Sequence, residues 1–120
     1  MRIFDLDAGR ATRLVEAIEK IDPRIDVRFA EPTVESIEIL LNASPVGMLG
    51  DARMPIDVAK IPSEIVVFDA IVKPEQTRLL KLAELCGCQT IRGREMMRAQ
   101  IKKIVDFFEA QRSRSTLVGG

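Results

Sequence analysis

One domain's length of chain, 120 residues, carries eighteen basic and eighteen acidic side chains, so no net field draws it to nucleic acid or an anionic membrane. Histidine, tryptophan and tyrosine are all absent, which removes a Ser/His/Asp triad, the commonest zinc ligand and most base-stacking chemistry. No apolar run approaches the ~20 residues of a membrane helix, and no secretory leader pattern opens the sequence, so a cytoplasmic protein with no membrane partner is expected.

Residues 2–6 read as a short strand. Asp7 follows as a helix cap, and Ala11, Leu14, Val15, Ile18 and Ile21 form one apolar face before Pro23 stops the helix. Residues 25–30 alternate as a second strand, and residues 33–37 suit a short helical turn. Residues 38–43 are compact and apolar, as in a buried parallel strand. A long loop containing Pro45, Gly47, Gly50, Pro55 and Pro62 leads to a strand over 64–71.

Residues 75–85 are expected to be helical, with Leu79, Leu80, Ala83 and Cys86 on one stripe and Gly87 as the terminator. A last strand over 88–92 precedes a long helix from about Arg94 to Gln111, predicted to bury Met97, Ile101, Ile104, Val105 and Phe108. Residues 112–120 are expected to form a flexible tail. Strands alternating with helices predict an α/β fold over 1–111, with a parallel sheet covered on both faces.

Ligands of open parallel sheets bind beyond the carboxyl ends of the strands. The residues there are Asp5 and Asp7, Asn42 to Met48, Asp69 to Pro74, and Gly93. Each has a purely structural reading as well: Asp7 as a cap, Asp5 and the Asn-Ala-Ser-Pro-Val-Gly-Met run as turn formers, and Gly93 as a tight connection. Gln100 shares a helix side with Gly93 and Met96, or is a solvent-edge glutamine. Cys86 and Cys88 lack further ligands for a metal, and the basic residues of the last quarter fit a solvated helix face better than a nucleic-acid surface.

Four stretches in order resemble the second domain of the shikimate/quinate dehydrogenase family. Asp5-Leu6-Asp7-Ala8-Gly9-Arg10-Ala11 is similar to the segment after the family's second Rossmann strand. Asn42-Ala43-Ser44-Pro45-Val46-Gly47-Met48 resembles its Asn-Ala-Thr/Ser-Pro-x-Gly-Met. Asp69 to Leu80 follows Asp-x-x-Tyr-x-Pro-x-x-Thr-x-Leu-Leu, and Gly93-x-x-Met96-x-x-x-Gln100 resembles the opening of the family's last helix.

The resemblance implies a nicotinamide cofactor. Asp5 would accept hydrogen bonds from the adenosine ribose, and Leu6 stands where NADP-using members place an arginine, so NAD is expected over NADP. Asn42, Ala43, Ser44, Pro45, Met48 and Gly93 would line the cofactor. Gln100 would reach the hydroxyls of a shikimate- or quinate-like substrate, because an amide both donates and accepts. The family's tyrosine is Val72 here, which leaves the substrate open within that class.

By the same resemblance, the catalytic Lys and Asp, the first Rossmann strand and the Gly-rich phosphate loop lie before Met1, giving a partial Rossmann-like fold expected to be inactive alone. Residues 2–30 would then detach, two copies or a complementing chain would fill the gap, or the family's second and fourth strands would pair directly.

Overall fold

The capping carboxylate of Asp7 sets the first helix. Its oxygen accepts the Gly9 and Arg10 N–H groups at 2.9 and 3.2 Å, satisfying donors that have no partner inside a helix. The computed structural model describes the backbone of residues 1–118 and the side chains of residues 1–114. Its elements alternate as β1 (Arg2–Ile3), α1 (Ala8–Ile21), β2 (Arg28–Phe29), β3 (Ile39–Asn42), β4 (Val66–Asp69), α2 (Arg78–Leu85), β5 (Gln89–Ile91) and α3 (Gly93–Val118). Among the described residues, no helix is long and apolar enough to cross a membrane.

The chain divides into two compact units, residues 1–35 and residues 36 onward, where the sequence marks no boundary. In the first unit β1 and β2 pair in parallel, with Ile3 opposite Phe29, and the rings of Phe4 and Phe29 stack at 6.0 Å. Ala11 and Val27 are buried, whereas Leu14 and Ile21 of the expected apolar face stay exposed. Both strands are shorter than their sequence patterns, and within this unit they form a two-stranded sheet. Residues 33–37 form a turn without a helix, and Ser36 takes a positive φ of 54° there.

The second unit holds a parallel sheet of order β3-β4-β5. The β-branched run of β4 suits its central place: Val67 is fully buried and faces the core of Ile56, Ile61, Ile65, Leu79, Leu80 and Ala83. Helix α2 packs on β4 and β5. It begins at Arg78, three residues later than its apolar pattern suggests, because the Thr77 hydroxyl caps it by accepting the Leu80 N–H at 3.2 Å. At its other end Gly87, with φ of 82°, permits the Gly87 and Cys88 N–H groups to close back on the Glu84 and Ala83 carbonyls. Ile56 and Ile61 tie the long loop before β4 into the core.

Two expectations of burial fail. Strand β3 is apolar from Ile39 to Leu41, yet Ile39 and Leu41 are 64% and 53% exposed, so only one of its faces is packed. The carbonyls of Glu38 and Asn42 accept the Val66 and Ala70 N–H groups of the β4 strand, so alternation turns the backbone groups of Ile39 and Leu41 to the outer edge. Helix α3 runs to Val118, past the end expected near Gln111, and Met97, Ile101, Ile104, Val105 and Phe108 along it are exposed rather than buried. Periodicity marks an apolar face, but nothing in the described residues covers this one. Gly119 and Gly120 of the expected tail lie outside the described residues.

Candidate functional site

In-register pairing places Asn42 beside Asp69, the last residues of β3 and β4, at the carboxyl end of the sheet. Both are buried. The Asn42 side-chain amide donates to an Asp69 carboxylate oxygen at 3.2 Å and to the Val46 carbonyl at 3.3 Å. Its oxygen accepts from the Ser44 N–H at 3.1 Å and from the Ser44 hydroxyl at 2.6 Å, which folds residues 42–46 into a fixed turn.

Asp69 also accepts the Ile71 N–H at 3.1 Å and the Thr77 hydroxyl at 2.7 Å. A continuous polar chain therefore runs from Ser44 through Asn42, Asp69 and Thr77 to the amino end of α2. Every buried side-chain nitrogen and oxygen among the described residues has a partner, as a buried network requires.

Above this chain lies an open groove of about 510 Å³, lined by Ala43, Ser44, Pro45, Met48 and Leu49 on one side and by Ala70 to Lys73 on the other. The Met48 N–H donates to the Pro45 carbonyl at 3.1 Å, and the Leu49 N–H crosses to the Lys73 carbonyl at 3.2 Å. Gly47, at φ of 98°, makes the turn between them, in a region that an L side chain rarely enters. Beside the groove, Asp51 is held well below the usual carboxylate range by hydrogen bonds from the Arg53 side chain and backbone.

Gly93 opens α3 directly behind the groove. A Cβ there would stand 2.4 Å from the Ile71 carbonyl oxygen and 2.6 Å from that of Ala70. Close helix-to-strand packing thus explains this glycine without any ligand.

The expected site residues do not all meet. Ala43, Ser44, Pro45 and Met48 line the groove, Asn42 supports it from below, and Gly93 backs its far wall. Gln100 is exposed on α3 and is absent from the groove lining. Asp5 belongs to the first unit, where one of its oxygens accepts the Asp7 N–H at 2.8 Å and shapes the turn into α1. Sequence reasoning missed Asp69 and Thr77 as the supports of the groove. Their signal was an aspartate ending a strand and a threonine placed to cap the next helix.

No protein-family model matches the chain. A quinate/shikimate dehydrogenase (NAD(+)) of Corynebacterium efficiens is 33% identical over 113 residues, covering 90% of this chain and 39% of that relative. A solved quinate dehydrogenase from Corynebacterium glutamicum, in complex with NAD, superposes with a TM-score of 0.71 at 28% identity, over 80% of this chain and 36% of that one. The chain belongs to the shikimate/quinate dehydrogenase family. It spans about two fifths of the length of the curated relatives it matches, as the coverage of 39% states. Both cofactor types occur among its relatives: a Sphingopyxis alaskensis enzyme named shikimate dehydrogenase (NADP(+)) is 31% identical over 69% of this chain and 30% of its own length. A shikimate dehydrogenase solved with NADP+ superposes with a TM-score of 0.63 at 26% identity, over 80% of this chain and 36% of that structure. The parallel α/β architecture described above is that of the family's Rossmann-like dehydrogenases.

Proposed function

We propose that this chain is the part of a shikimate/quinate-type dehydrogenase that holds the nicotinamide end of NAD. The groove at the carboxyl ends of β3 and β4 carries the reading. Its lining is mostly small and apolar, with Ala43, Pro45, Met48, Ala70, Ile71 and Val72 able to flank a flat ring. The Asn42–Asp69 bond fixes that wall in advance, so little ordering is needed when a ligand enters. Bound there, the cofactor would supply the acceptor and donor of a hydride.

The adenosine ribose is assigned to Asp5 of the first unit. A carboxylate accepts from both ribose hydroxyls and repels a 2′-phosphate, and Leu6 offers no cation to offset that charge. This favours NAD over NADP. The substrate is a hydroxylated ring carboxylate of the shikimate or quinate class, with Gln100 as its proposed amide contact. None of the groove-lining residues is paired with a second group as an acid and base, so hydride transfer by these 120 residues alone is not expected.

Titration of the chain with NADH, followed by fluorescence, tests the reading. Ala43→Trp fills the groove and is expected to abolish binding while leaving the circular dichroism unchanged. Equal binding by both proteins, or none by either, would sink the proposal, and turnover of quinate or shikimate with NAD by the chain alone would overturn its inactivity.

A second reading, a module that completes its sheet with another polypeptide, is favoured by the exposed outer edge of β3. A stoichiometric complex on size exclusion would support it, and a well-behaved monomer would count against it.

A further inference from the structure

Of the residues that line the groove, only Lys73 carries a charge. Its side chain is exposed and has no ion-pair partner among the described residues. Two carboxylates close in sequence to the lining segments are engaged by arginines: Asp51 is bound to Arg53 at 2.7 Å, and Glu75 lies 3.4 Å from Arg94 and 3.8 Å from Arg92. Lys73 is therefore the one charge on the groove lining itself, while the Asp69 carboxylate, held by neutral donors, is buried beneath it.

We infer that Lys73 makes this groove distinguish the two oxidation states of a nicotinamide cofactor, favouring the neutral reduced ring over the cationic oxidised one. The inference rests on the cofactor reading above. NAD+ and NADH share their phosphates, riboses and adenine, and differ at the ring, which carries a positive charge only when oxidised. A lysine on the wall against which that ring lies repels one form and is indifferent to the other. Because Lys73 faces solvent, water and salt reduce the effect to a few-fold preference.

Kd values for NAD+ and for NADH, measured by calorimetry on wild type, Lys73→Met and Lys73→Arg, test this. Lys73→Met lowers the ratio of the NAD+ Kd to the NADH Kd by about threefold relative to wild type, the size of a screened unit-charge repulsion. Lys73→Arg keeps the wild-type ratio, and at about 0.5 M salt the difference between wild type and Lys73→Met disappears. A ratio unchanged in Lys73→Met, or a change that persists in high salt as a steric effect would, overturns the inference while leaving the cofactor reading intact. Failure of wild type to bind either form overturns both.

Discussion

The Asn42 amide donates to the Asp69 carboxylate at 3.2 Å, joining the final residues of two adjacent strands beneath the groove. Asp69 is also the acceptor for the Thr77 hydroxyl and the Ile71 N–H. Asp69→Ala leaves three donors facing a cavity, and buried donors without partners cost about 1–3 kcal/mol each before relaxation. We expect a loss of about 3 kcal/mol in urea denaturation. Asp69→Asn, which keeps the shape and part of the acceptor capacity, should lose less.

Thr77 has two tasks at one oxygen, donating to Asp69 and accepting from the Leu80 N–H. Thr77→Ala removes the cap and one buried bond together, for an expected cost of about 2 kcal/mol. Thr77→Ser should recover most of it. If both variants lose the same stability, the methyl group and not the hydroxyl is what matters.

At Gly93 the constraint is space. The added methyl of Gly93→Ala meets the Ile71 carbonyl at 2.4 Å, so either the start of α3 or the groove wall must move. Overpacking of this kind costs about 1–3 kcal/mol. A lowered Tm together with weakened NADH binding is the expected pair of results, and a variant with an unchanged Tm would refute the packing account.

Cofactor choice is predicted to rest on Asp5 and Leu6. The double variant Asp5→Asn, Leu6→Arg removes the charge that repels a 2′-phosphate and adds one that attracts it. Affinity should shift from NADH toward NADPH by about tenfold, the worth of one exposed charge-assisted contact. Parallel titrations with the two cofactors read this directly.

Burial pushes the Cys88 thiol up, with smaller contributions from Cys86 and Glu64. A group whose folded pKa is raised stabilises fully below its unfolded value and loses that contribution as pH rises through the folded one. Stability should therefore fall above about pH 8.5, the unfolded thiol value. Cys88→Ala should flatten that alkaline decline. Iodoacetamide should label half-exposed Cys86 before Cys88.

The element order was legible because β-branched runs, Asp7 and Gly87 each act locally. The wall from Asn42 to Met48 was legible because its turn chemistry is written in consecutive residues. The role of Asp69 was harder to see, since two of its three partners, Asn42 and Thr77, come from other segments and meet it only when β3, β4 and α2 pack. Burial along α3 was misread because an apolar face in sequence does not specify what lies against it. Gly93 likewise has a reason invisible from its own neighbours, the carbonyls of residues 70–71.

The outer edge of β3 has a consequence for solvent exchange. Leu40 turns its amide toward β4, while Ile39 and Leu41 turn theirs away from it. In deuterium oxide, one strand should therefore show alternating lifetimes, slow at Leu40 and fast at Ile39 and Leu41. Any molecule that adds a strand along this edge would equalise the three, leaving an isotopic record of the contact residue by residue.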